Sequence, residues 1–264
     1  MSASAEPYTP PPVALQLFSV RDEIASDGYE ATLRRVAEMG YVGVEPFGLD
    51  PQSATTVRTL CEELGLLVPC VHVPLPEGDK RDTVLDTVLA LGAPSAICSL
   101  ARTEFTDLEA VERAGGRLAA AHMVFRGAGL RFGVHNHWWE YEPVEGKYPY
   151  RTLASRLEPD AFFEVDVYWV QTAGLDPVAV LTELGPRAPL LHVKDGPALQ
   201  DVPMVAVGSG SLDIPAILAA NAQHTEWLIV EIDRSATSML TAVATSAEYL
   251  ARRGLGTLRG RAHA

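Results

Sequence analysis

The stretch AFFEVDVYWVQTAGLDPVAVLTELGPRAPLLHVKD, residues 161–195, decides the fold. Residues 161–167 (AFFEVDV) form a short, mostly apolar run rich in Phe and Val, which predicts a buried strand. Residues 177–184 (PVAVLTEL) predict a helix, and residues 189–194 (PLLHVK) predict the next strand. A strand, a helix and a strand in one run make the parallel βαβ unit.

The same rhythm runs in both directions from this unit. Towards the N-terminus, strands are expected at 13–19, 41–45, 67–73, 95–99 and 131–137. Helices are expected between them at 28–39, 54–64, 81–91 and 108–128, with a further one at 150–157. Gly129 marks the stop of the fourth helix. Towards the C-terminus, a helix at 214–221, a strand at 226–231 and a closing helix at 237–252 complete eight strand–helix pairs. The composition does not break anywhere along the 264 residues, so the expected fold is α/β, a single-domain (β/α)8 TIM barrel. The barrel is expected over residues 13–255, with a flexible lead-in at 1–12 and a tail at 256–264. An open doubly wound sheet would carry a glycine-rich dinucleotide turn after its first strand; Phe18, Ser19 and Val20 stand there instead.

Composition narrows the function. The net charge of −13 repels phosphate backbones and disfavours a nucleic-acid partner. Three cysteines, Cys61, Cys70 and Cys98, with no CxxC pairing, disfavour a disulfide framework and a thiolate zinc site. No apolar run reaches membrane-spanning length, so no membrane is expected. The N-terminus has no apolar core of a signal peptide, so a cytoplasmic location is expected.

In a barrel of this kind, catalytic side chains sit at the C-terminal ends of the strands. That is where the ionisable groups of this sequence fall. Strand two ends at Glu45 and strand three carries His72. Strand five ends in His135, Asn136 and His137, with Glu140 shortly after. Strand six carries Glu164 and Asp166, strand seven His192, Lys194 and Asp195, and strand eight Glu231 and Asp233. Charges are seldom buried unless they are paired or bound to metal, so their convergence on one mouth predicts a site. Asp166, His192 and Glu231 come from successive strands, and their hard oxygens with one imidazole suit Mn2+, Mg2+, Co2+ or Zn2+. Glu140 is the expected fourth ligand, with His135, His137, Glu142, Glu145 and Glu164 as the competing candidates. Lys194 lies two residues beyond His192, so both should face the same side of their strand. Trp138, Trp139 and Trp169 offer flat aromatic faces that can wall a substrate. Gly208-Ser209-Gly210 reads as a plain loop turn, with a phosphate cradle of backbone amides as the other reading.

The motifs GVE (43–45), HVP (72–74), HNHWWEY (135–141), EVDVYWV (164–170), LHVKD (191–195), VGSGSLD (207–213) and IVEID (229–233) together resemble the xylose isomerase-like barrels, specifically the sugar phosphate isomerase/epimerase group. The resemblance spans nearly the whole chain. It implies one divalent ion, Mn2+ first, held by Glu140, Asp166, His192 and Glu231. It implies an isomerase or epimerase that removes a proton next to the carbonyl of a keto-sugar or related polyol, through a metal-stabilised enediolate. Glu140, Glu231, His137 and Lys194 are then the expected catalytic groups. Substrate contacts fall to His72, Glu45, His135, Asn136, Trp138 and Trp169. Relatives imply a homodimer or homotetramer. The runner-up function is a lyase, of the inosose dehydratase type or β-eliminating on a keto-sugar glycoside. A sugar-binding barrel without catalysis stands last.

Overall fold

A computed structural model describes residues 9–260 of the chain. Most of the expected lead-in (residues 1–8), and the end of the expected tail with His263, lie outside the described residues. Eight strands run in the order expected of alternating βα units. They are β1 (Val13–Gln16), β2 (Gly43–Glu45), β3 (Val71–His72), β4 (Ser95–Cys98), β5 (Arg131–His135), β6 (Phe162–Asp166), β7 (Leu190–Val193) and β8 (Trp227–Val230). All pair in parallel, and β1 pairs with β8. The ring closes between β2 and β3 through backbone bonds from Val44 to Leu67 and from His72 to Pro46. The architecture is the (β/α)8 TIM barrel.

The helices are α1 (Arg21–Glu38), α2 (Pro51–Leu64), α3 (Arg81–Leu91), α4 (Leu108–Gly127), α5 (Pro149–Arg156), α6 (Val167–Thr172), α7 (Pro177–Leu184), α8 (Ile214–Ala220) and α9 (Met239–Arg252). Local chemistry sets their ends. Asp50 accepts from the Ser53 amide in a capping box and Pro51 opens α2, three residues earlier than the apolar spacing predicts. Gly28, at φ 84°, breaks α1 into two pieces, so the helix starts before the expected boundary. Helix α6 was not foreseen. No element was expected over its sequence, VYWVQT, beyond Val167; Asp166 caps it by accepting from the Trp169 amide.

Inside the barrel, side chains two apart on each strand stack in layers. Ala14, Cys70, Ile97, Phe162, Leu190 and Ile229 form a dry lower layer. Two residues further along the same strands stand Gln16, His72, Glu164, His192 and Glu231. Gly133 belongs with the lower layer and leaves room for its neighbours. A Cβ placed there would lie 2.4 Å from the Phe162 ring and 2.7 Å from Ile97 Cδ1. Gly133→Ala should therefore cost about 1–3 kcal/mol by overpacking. Urea unfolding should show a lower midpoint with unchanged slope; an unchanged midpoint would show that the ring yields freely.

The larger core lies between sheet and helices, where Leu33, Val57, Val88, Leu118, Leu181 and Val243 are wholly buried. The segment after α9 returns to the start of the barrel. Val13 donates to Thr257, Thr257 donates to Pro11, and Arg259 donates to Gly40. Leu258 is buried beneath. No described helix is long and apolar enough to cross a membrane.

Candidate active site

Because the strand-end acids and imidazoles occupy the two upper layers, they meet at the C-terminal mouth. Glu45, His135, Asn136, Glu140, Glu164, Asp166, His192, Lys194 and Glu231 are all buried. Their mutual contacts sort them into a deep ring and a rim.

The deep ring centres on Glu164. Its Oε2 lies 2.7 Å from His72 Nε2, 3.1 Å from His192 Nε2 and 3.3 Å from His135 Nδ1. Glu45 faces the same two ring nitrogens, at 2.7 Å from His192 and 3.1 Å from His72. Burial alone would lower His72, but Glu45 and Glu164 outweigh it and raise the imidazole to about 10. Burial and the neighbouring imidazoles, His192 first, hold His135 neutral.

The rim centres on Lys194. Its ammonium lies 2.7 Å from Glu231 Oε2, 2.8 Å from Asp233 Oδ2 and 3.0 Å from Asp166 Oδ2. His192 joins ring to rim, since its Nδ1 lies 2.8 Å from Glu231 while its Nε2 faces Glu45. Burial raises Asp166 to about 6 against the pull of Lys194. The expected shared face of His192 and Lys194 is realised, because both meet Glu231. Lys194 does not pair with Asp195.

Asp195 turns the other way. Its carboxylate accepts from the amides of Gly196, Gly208, Gly210 and Leu212 at 2.8–3.2 Å. The glycine loop is thus a turn folded around an internal carboxylate, and the amides that would cradle a phosphate are taken. A Cβ at Gly210 would lie 2.1 Å from Asp195 Oδ1, which is why glycine stands there.

A cleft of about 410 Å3 opens over the rim. Of the residues expected to form the site, His72, His135, His137, Lys194, Glu231 and Asp233 line it. The others stand behind it. Asn136 clamps β6, accepting from the Asp166 amide and donating to the Asp166 carbonyl. Glu140 accepts from the His137 amide at 2.8 Å, and burial pushes it up to about 8. Glu45 lies wholly beneath the imidazoles. Trp138 and Trp169 pack on each other at 4.8 Å, with Lys194 5.3 Å from the Trp169 ring, and neither lines the cleft. Sequence reasoning missed Phe18 and Phe47, which meet edge to face at 5.2 Å and form the apolar wall. Their signal was an aromatic residue just past the end of β1 and of β2.

Two sets of four ligand atoms lie mutually within 4.8 Å: His72, His135, Glu164 and His192, and His135, Asp166, His192 and Glu231. Glu140 belongs to neither set; the β5 residue in both is His135. The donor chemistry fits a cation. Buried Asp166 Oδ2 and His135 Nδ1 have no hydrogen-bond partner, although an acid or ammonium stands near each.

The model of the xylose isomerase-like TIM barrel family matches residues 33–259. The chain belongs to this family. Among solved structures it is similar to a sugar phosphate isomerase/epimerase from Parabacteroides distasonis ATCC 8503, with 22% identity and a TM-score of 0.78 over 94% of this chain and 96% of that one. It is similar to a probable 3-DHS dehydratase from Bacillus anthracis, with 13% identity and a TM-score of 0.72 over 90% and 98%. A D-allulose 3-epimerase from Methylomonas sp. gives 13% identity and a TM-score of 0.70 over 95% and 100%. At such identities the likeness is one of fold. No curated protein matches the sequence.

The thiols take no part in the cleft. Burial raises Cys61 to about 12; burial, then Glu45 and Glu164, raises Cys70, and burial raises Cys98. At pH 8 the native protein should react with less than one equivalent of a thiol reagent such as Ellman's, and with three when unfolded. Rapid labelling of the native chain would contradict this burial.

Proposed function

We propose that this family member is a divalent-metal-dependent isomerase or epimerase of a keto-sugar or related polyol, removing a proton next to the carbonyl. The observation that supports this most is the convergence of His135, Asp166, His192 and Glu231, one from each of the last four strands, within 4.8 Å. These residues would hold the ion, and Mn2+ or a similar divalent ion suits their nitrogen and oxygen atoms. When bound, such an ion polarises a sugar carbonyl and so acidifies the adjacent C–H. Glu140 is left with a positioning role, because its carboxylate holds the His137 backbone.

The chain's own groups then divide the work. Phe18 and Phe47 offer an apolar wall to the C–H face of the sugar. Glu231 and His137 both line the cleft, and His137 Nδ1 is buried without a partner, so the two are placed to take and return a proton. Lys194 reaches the same space and offers N–H donors to an oxygen that gains charge.

A lyase reading draws on the same Lys194, which can donate a proton to a departing hydroxyl. One experiment separates the readings. Ketoses and inososes are incubated in D2O with the Mn2+-loaded protein and followed by NMR. Exchange at one carbon with epimer formation supports the proposal. A new alkene or dione shifts the assignment to elimination. No change in any compound, with no divalent metal bound, leaves a sugar-binding barrel.

A further inference from the structure

Beside the cleft lies a second cavity of about 520 Å3, between the β4–α4 and β5–α5 loops. Nothing in the proposed chemistry uses it. Its walls adjoin those of the cleft. On one side His137 lines the cleft and Trp139 lines the cavity, and the two rings stack at 4.1 Å and 12°. On the other, Ser99 lines the cleft and Arg102 the cavity, and Trp139 Nε1 donates to the Leu100 carbonyl between them.

The cavity is held open by fixed loops. Arg117 of α4 grips Glu77 and, in the β4–α4 loop, Glu104. The β5–α5 loop closes on reciprocal Val144–Lys147 bonds. Next to it Glu145 sits at φ 48°, its carboxylate accepting from the Leu108 amide at the start of α4. A preformed, strained loop of this kind binds without a further ordering cost.

Its chemistry is that of a neutral polyol seat. Trp139 supplies an aromatic surface. Arg102 and Glu142 stand 3.7 Å apart, too far for a hydrogen bond, and Gln200 reaches Glu142 only at 3.4 Å, so donors and acceptors remain for a third party. An anionic group finds no seat. No arginine lines the cleft, its lysine is shared by three carboxylates, and the glycine-loop amides are filled by Asp195. Glu142 and Glu145 outnumber Arg102 in the side cavity.

We infer that the substrate is an uncharged glycoside of two rings, not a sugar phosphate, with the reacting ring in the cleft and the other ring against Trp139 between Arg102 and Glu142. This rests on reading the cleft as a keto-sugar site. The test is calorimetric titration of the Mn2+-loaded protein with fructose, fructose 6-phosphate and the ketose disaccharides turanose, isomaltulose and lactulose. At least one disaccharide should bind roughly tenfold or more tighter than fructose, and the phosphate should gain nothing. Arg102→Ala, at an exposed position, and Glu142→Ala, at a half-buried one, should reduce the disaccharide to the level of fructose and leave fructose unchanged. The inference is overturned if no disaccharide gains, if the gain survives both substitutions, or if fructose 6-phosphate binds best. If disaccharide binding behaves as expected while no ketose exchanges deuterium, the glycoside seat stands and the isomerase reading falls.

Discussion

Glu231→Gln is expected to lower kcat/KM for deuterium exchange by roughly a thousandfold and to strip most of the bound divalent metal. The substitution keeps the shape of the side chain and removes only its charge. That charge has three duties at once. It accepts from Lys194 at 2.7 Å, it faces His192 Nδ1 at 2.8 Å, and it borders the cleft. Burial works against its ionisation, but Lys194 and His192 hold its carboxyl well below the usual range, so it is a carboxylate throughout the neutral range. An amide in its place neither takes a proton nor binds a cation tightly. Lys194 would still be satisfied by Asp166 and Asp233, so the fold should persist. The measurements are the initial exchange rate and elemental analysis of the dialysed variant. Activity within tenfold of the parent, with a full metal load, would remove Glu231 from the centre of the reaction.

The largest loss of stability is expected from Asp195→Ala, about 3–5 kcal/mol. This carboxylate is wholly buried and accepts from four amides, which belong to the β7 end and to the glycine loop, the farthest of them seventeen residues along the chain. Alanine leaves those N–H groups facing a void that Gly210 was chosen to fit around. A loss of this size is a large share of a domain's net stability of ~5–15 kcal/mol. Asp195→Asn should recover part of it, because one carbonyl oxygen survives. Chemical unfolding monitored by circular dichroism gives both numbers. A drop below about 1 kcal/mol for alanine would show that water replaces the carboxylate without penalty. Because Lys194 precedes Asp195, the variant should also lose activity in proportion to the looseness of the ammonium.

Much of the fold was legible in the sequence through period and placement. Apolar runs of strand length alternating with helical runs leave few architectures, and the barrel is the one that eight such units close. Polar residues at the end of each run locate the mouth, since a charge within a dry strand is tolerated only where charges meet. The pair Glu164 and Asp166, and the pair His192 and Lys194, follow from two-residue alternation. The short helix over VYWVQT, for which the apolar spacing carried no expectation, rests on a single cap from Asp166.

What the tertiary structure alone decided is which groups face one another. Barrel stagger offsets each strand against the next, with His135 level with Glu164 but Asp166 level with His192. No one-dimensional spacing contains that offset. It placed His135, not Glu140, among the converging ligand atoms, sent Lys194 to Asp166, Glu231 and Asp233 while Asp195 turned to the glycine loop, and put Phe18 and Phe47 on the cleft in place of Trp138 and Trp169. Periodicity within a strand is set by local backbone geometry and is written in the chain; register between strands is set by the packing of the whole ring and is not.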